Sequence, residues 1–174
     1  GEGLPFYQGK TDFGDMYPTP RVYCTEPSRI AEAGDILISV RAPVGPTNIS
    51  REKSAIGRGL SVIRVGEKLD RDFLLYFLRF YEPELAKAGT GSTFTAISRE
   101  DLETIKIPLP PLTEQKRIAS LLERADRLRR LRRTAHDLGE SLLQSVFLEM
   151  FYYSETMWEQ AFVEDLLKMK NNAM

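Results

Sequence analysis

Histidine occurs once in this 174-residue chain, at His136, and cysteine once, at Cys24. A single histidine removes most metal and general-base chemistry, because imidazole is the commonest metal ligand and the usual proton carrier near neutral pH. His136 falls in a helical run, where a solvated residue is the plainer reading. A single cysteine forbids an intrachain disulfide, and no CxxC pair or Cys/His cluster is present for zinc. Long apolar runs are missing as well: nothing approaches the roughly 18 residues of a membrane span, and nothing like a signal peptide opens the chain. A cytoplasmic, reduced protein with no membrane segment is the expectation. Charge of one sign is also lacking, with 24 basic residues against 25 acidic ones and a net of -1. Attraction for nucleic acid, if there is any, has to be local.

Catalytic signatures are absent in turn. There is no GxxxxGK phosphate loop and no D/N-P-P-Y/F motif of the kind that holds a flipped base for amino methylation. "GTGSTF" (89–94) contains a bare GxG without the rest of a dinucleotide fingerprint. Glu52-Lys53 and Glu67-Lys68 lack the spacing of nuclease carboxylates. With no histidine in the globular part, a Ser-His-Asp site is excluded there. The expectation is a binding protein with no catalytic site and no cofactor of its own.

What is present is enough apolar sequence, 42% of the chain, to bury a core, together with 28% charged residues. Short β-branched runs predict strands at "LPFYQ" (4–8), "RVYCT" (21–25), "DILISVR" (35–41), "LSVIRV" (60–65) and "IKIPL" (105–109), with glycine and proline turns between them. "DRDFLLYFLRFYEPEL" (70–85) predicts a helix packed on that sheet. Ser98 and Asp101 predict a capped shorter helix. The prolines of "IPLPPLTEQKRI" (107–118) then end the sheet, and Thr113 is expected to cap a helix that runs to Phe151, about 38 residues or about 57 Å. The reading is α/β (α+β): a small mixed-sheet domain over 1–112, a long coiled-coil helix over 113–151, and a tail over 152–174.

On the long helix, Ile118, Leu121, Ala125, Leu128, Leu131, Ala135, Leu138, Leu142 and Val146 recur in steps of three and four residues, with one irregular step between Leu128 and Leu131. Such a seam needs a partner helix, and the chain holds no second long helix. Residues 113–133 carry eight basic side chains against three acidic ones, a local +5, which fits a solvated flank as well as a nucleic-acid stripe.

Two segments of the domain predict an anion-binding surface. In residues 39–64, Arg41, Arg51, Lys53, Arg58 and Arg64 face only Glu52, a local +4, while Asn48 and Ser50 could meet a base edge or phosphate. In "AGTGSTFTAIS" (88–98), Thr90, Gly91, Ser92 and Thr93 combine hydroxyls with accessible backbone amides.

"GTGSTFTAISREDLETIKIPLPPLTEQKRIASLLERAD" (89–126), with "GDILISVRAPVGPTNIS" (34–50) and "PFYQGKTDFG" (5–14), closely resembles the specificity subunits of type I restriction-modification enzymes, at the junction of target recognition domain and conserved helix. The resemblance spans roughly Gly3 to Phe151. It implies a DNA-reading domain on a helix that serves as spacer and docking post. Double-stranded DNA would lie across Gln8, Lys10, Thr11, residues 41–58 and residues 90–93. It implies partners too: methyltransferase subunits, which would bring S-adenosylmethionine, and a restriction/translocase subunit, all directed to a bipartite site.

Such subunits usually carry two recognition domains and two helices, whereas one of each is found here, so a homodimer through the long helix is expected. They also open with a Trp- and Leu-bearing segment, and "MWEQAFVEDLL" (157–167) has that character. It is expected to begin a second recognition domain or to complete the first, with Trp158, Phe162 and Leu166 packed. Two other readings use the same residues: the recognition module of a fused restriction-methyltransferase, and a coiled-coil adaptor that binds only protein.

Overall fold

Residues 2–88 and 96–151 are described by a computed structural model. The expected tail contacts of Trp158, Phe162 and Leu166 lie outside the described residues, as do Thr90, Gly91, Ser92 and Thr93. The chain divides into two units, Gly1–Arg124 and Ala125–Met174.

The first unit is α+β, with two small sheets and helices. One sheet is mixed and runs β2-β1-β6-β3, from β1 (Leu4–Tyr7), β2 (Val22–Cys24), β3 (Ile30–Ala31) and β6 (Ser54–Ile56). The other is antiparallel and runs β5-β4-β7, from β4 (Ile36–Ser39), β5 (Thr47–Ile49) and β7 (Leu60–Ile63). Strand β4 explains why "ILIS" reads as an unbroken apolar run and not as an alternating one: it is buried on both faces. Leu37 packs with Tyr7, Ala31, Ile56 and Leu60. Ile36 joins Ile49, Leu74, Leu75 and Leu78, and Ile38 joins Val44, Leu85 and Ile97. Helix α1 (Arg71–Ala88) supplies the leucines of those last two clusters. Gly45 holds a positive φ of 106° where a Cβ would come within 2.8 Å of the Glu82 side chain, so the turn into β5 can lie directly on α1.

Four expected strands form within their predicted spans, and so do the helix after residue 70 and the Ser98-capped helix α2 (Arg99–Glu103). "IKIPL" does not pair. Ile105 and Ile107 still pack on the core, but the segment has no ladder partner among the described residues, and Pro108 has no amide to give one. Strands β3, β5 and β6, each two or three residues long, fall outside the predicted spans.

Helix α3 (Leu112–Phe151) begins one residue before the expected cap, so Thr113 lies in its first turn. The Glu114 and Gln115 amides donate instead to the Pro111 carbonyl, at 2.9 and 3.0 Å. Up to Arg124 this helix falls in the first of the two units.

The helix is anchored by Gln115, which is fully buried. Its side-chain oxygen accepts from the Asp70 amide at 2.8 Å, and its nitrogen donates to the carbonyls of Lys68 at 3.1 Å and Pro110 at 2.8 Å. Asp70 is itself the cap of α1, its carboxylate accepting from the amides of Asp72 and Phe73, each at 3.0 Å. Gln115→Leu preserves the volume but removes the side-chain partner of three part-buried backbone groups, and is expected to destabilise the domain by about 1–3 kcal/mol in urea unfolding. An unchanged unfolding midpoint would show that the anchor is dispensable.

Candidate nucleic-acid interface

The strand ends decide which of the sequence-predicted residues meet. Strand β1 runs parallel to β6, so both finish at the same end, leading into Gln8 and into the Gly57–Gly59 turn. A Cβ on Gly59 would lie 2.4 Å from the Gln8 carbonyl, and one on Gly57 2.9 Å from Gln8 Cα, so these two glycines let the chains touch. The Val40 amide donates to the Gly59 carbonyl at 3.0 Å, bringing the end of β4, and with it Arg41, to the same place. Gln8, Lys10, Thr11, Arg41 and Arg58 therefore gather at one end of the two sheets, all exposed.

Asp12 shapes the loop that carries the first three of them. Its nearly buried carboxylate accepts from the amides of Gln8 at 2.8 Å and Gly9 at 3.3 Å. Arg21 closes the loop from the other side, donating to the Thr11 carbonyl and lying 3.7 Å from the Asp12 carboxylate. The backbone polar groups are thus turned inward, leaving the side chains of Gln8, Lys10 and Thr11 outward beside a groove of about 380 Å³. Neither Asp12 nor Arg21 had stood out in the sequence. The acid three residues after Gly9 was the readable signal, in the manner of a turn cap.

The remaining sequence candidates divide differently. Arg51 and Lys53 precede β6 and so lie toward its opposite end. Arg51 is stacked over the Tyr17 ring, 4.2 Å from its centroid, and Lys53 is 3.5 Å from Glu32. Asn48 and Ser50 correct the expectation outright, because both are buried and their polar atoms are used internally. Asn48 Nδ2 donates to the carbonyls of Gly14 at 3.0 Å and Thr47 at 2.8 Å, and its Oδ1 accepts from the Gly14 amide at 3.1 Å. Ser50 Oγ donates to the Glu52 carbonyl and lies 2.9 Å from Ser54 Oγ. They hold loops in place and offer nothing to a ligand.

Arg64, counted in the local +4, is not a free charge either. It clasps buried Asp35 through two hydrogen bonds of 2.9 and 2.7 Å, tying the start of β4 to the end of β7. Burial pushes the Asp35 carboxyl up, but hydrogen bonds from Arg64 and the Glu32 amide outweigh it and hold the group below its ordinary 3.8.

Among the described residues, no group of three or more His, Cys, Asp or Glu could hold a metal, and no helix is long and apolar enough to cross a membrane. On α3, Ile118 is half-buried, while Leu121, Ala125, Leu128, Leu131, Ala135, Leu138, Leu142 and Val146 are exposed. Leu143, Phe147 and Met150 widen the apolar stripe toward the helix end.

Comparison with known proteins settles the lineage. Residues 23–136 match the family described as the type I restriction modification DNA specificity domain. The chain belongs to that family. Among the relatives of this specificity-domain chain, a Methanocaldococcus jannaschii protein provisionally named a type I restriction enzyme MjaX specificity subunit is 50% identical over 134 residues, 76% of this chain and 32% of its own. The type I restriction enzyme MjaVIII specificity subunit of that organism is 33% identical over 117 residues, 62% of this chain and 28% of its own. Among solved structures, the HsdS subunit from Thermoanaerobacter tengcongensis is 49% identical with a TM-score of 0.68, over 77% of this chain and 33% of that one. A chain from work on complex assembly and conformational transition of the type I R-M system is 46% identical with a TM-score of 0.76, over 84% of this chain and 36% of that one. The specificity domain described here thus spans about a third of the length of these relatives.

The Asp35 clasp carries a definite sign. A carboxyl whose folded value is lowered binds fewer protons than in the unfolded chain, so its contribution is present above 3.8 and fades as pH falls through the lower folded value. The stability difference between wild type and Asp35→Asn is expected to shrink on acidification from about pH 6 to about pH 2, followed by thermal unfolding. A difference independent of pH would show that the clasp does not stabilise the sheet.

Proposed function

We propose that this chain is a non-catalytic, sequence-reading subunit that binds double-stranded DNA through the end of its two sheets where Gln8, Lys10, Thr11, Arg41 and Arg58 collect. The observation that carries the reading is this convergence, from three separate segments, of exposed cations and hydrogen-bonding side chains in a domain of the DNA specificity family. Lysine and arginine position the domain on phosphates, and Gln8 and Thr11 are of the types that read base edges. The complex it serves adds methyltransferase subunits, carrying S-adenosylmethionine, and a restriction/translocase subunit, and it acts in the cytoplasm. Thr90, Gly91, Ser92 and Thr93 belong to the same proposal on sequence grounds alone.

The exposed stripe on α3 supports the second half of the reading, a homodimer through antiparallel long helices. Leaving each large apolar side chain in water forgoes about 1.5 to 3 kcal/mol, which a second copy recovers by closed twofold pairing. Two recognition domains would then face two half-sites, making the DNA target a gapped palindrome.

Replacing Lys10, Arg41 and Arg58 by Ala should weaken DNA binding and flatten its salt dependence by about one unit of log-log slope per lost phosphate contact. Replacing Arg51 and Lys53, which lie toward the other end and already have partners, should change the slope less. The opposite ranking in fluorescence anisotropy would move the site. For the helix, inserting one heptad after Gly139 lengthens it by about 10 Å and should widen the gap between half-sites by about three base pairs. Methylation mapping with an unaltered gap would refute the helix as spacer, and a monomer at micromolar concentration would refute the dimer.

A further inference from the structure

The groove beside the Gln8–Thr11 loop combines two opposed characters. Its rim is polar and basic, with Gln8, Lys10 and Arg21, whereas Phe6, Val22, Ala42 and Pro43 give it an apolar wall. That wall is accessible: Val22 is 54% exposed on the edge strand β2, and Ala42 and Pro43 are exposed in the turn after β4. The wall is also built, because Val22 is held opposite Phe6 in the β1–β2 register. Among the described residues the groove holds one acid, Asp12, whose carboxylate is committed to the Gln8 and Gly9 amides and to Arg21, against the two cations Lys10 and Arg21, so the rim stays net positive. The charge complements a phosphate backbone, and the wall then has to be covered by something apolar on the same ligand. In the major groove of duplex DNA the exposed apolar group is the 5-methyl of thymine.

Building on the DNA-reading proposal above, we infer that the groove walled by Phe6, Val22, Ala42 and Pro43 is a thymine-reading subsite, in which the thymine 5-methyl packs on Val22 and the turn of Ala42 and Pro43. Gln8 stands on the rim of the same groove, and a glutamine amide pairs bidentately with the edge of adenine. The subsite therefore assigns an A·T pair to the half-site and places this face of the domain in the major groove. Arg21 acts here as a positioning residue, fixing the loop through Thr11 and leaving recognition to Gln8 and the wall.

The test uses the full chain and duplex DNA. Selection from a randomised duplex pool identifies the bound half-site, and each thymine in it is then replaced by deoxyuridine, which removes only the methyl group. At one position the wild-type chain should lose about fourfold in affinity, the factor that one buried methyl-sized contact carries. With Val22→Ser or Ala42→Ser that ratio should fall toward one at the same position, while preferences elsewhere in the half-site persist. The deoxyuridine arm alters only the DNA, so it stands even if one variant folds poorly. A selected half-site that tolerates deoxyuridine everywhere, or a methyl dependence untouched by both variants, would overturn the subsite and leave DNA reading intact. A pool from which no sequence is enriched would overturn the DNA reading itself, and the subsite with it.

Discussion

One side-chain amide joins the two halves of the first unit. Gln115 sits in the first turn of the long helix, takes the Asp70 amide, and gives its protons to the Lys68 and Pro110 carbonyls. Asp70 uses its carboxylate to start α1, and α1 supplies the leucines that cover one face of the three-stranded sheet. The start of both helices is thereby referred to a single buried polar point. A neutral amide suits that place because it both donates and accepts, whereas a carboxylate there would leave two carbonyls facing an acceptor. The prolines before the long helix belong to the same joint: Pro110 supplies an acceptor to Gln115, and Pro111 accepts the first amides of the helix.

The sheets answer to a second constraint, the complete burial of β4 between them and α1. A strand with Leu37 on one side and Ile36 and Ile38 on the other cannot slip by one residue without exchanging the two cores. The Asp35–Arg64 clasp marks one end of that register. At the other end the described residues show no ion pair, backbone bonds run from Val40 to Gly59 and from Ile97 to Val40, and the strand opens into the turns that carry Arg41 and Arg58.

How far the sequence could be read follows from these features. Runs with enough β-branched or apolar residues to fill a core position, such as "ILIS" and "LSVI", were legible, as were the long helix and the Ser98 cap. Strands β5 and β6 were hidden because Thr47, Asn48 and Ser54 look like loop residues while being buried, Asn48 and Ser54 with their polar side chains bonded internally. The same disguise made Asn48 and Ser50 look like contacts for a ligand. Arg64 and Lys53 looked free because their acids, Asp35 and Glu32, lie 29 and 21 positions away in sequence. Proximity in the chain could signal only the Asp12 loop. "IKIPL" kept its alternation but forms no ladder among the described residues, so its periodicity reports which side chains are buried and not whether the backbone finds a partner.

The placement of the exposed cations at the ends of short, buried strands bears on how such a domain changes over generations. Substitutions at Lys10, Arg41 or Arg58 touch neither the Leu37 core nor the Gln115 joint, so they fall among surface changes that cost little stability. On the proposed DNA-reading function, the residues that would meet DNA and the residues that hold the fold are thus nearly disjoint sets. A lineage could then exchange contacts at these turns while its folding problem stays solved, and burial alone would tell the two kinds of position apart.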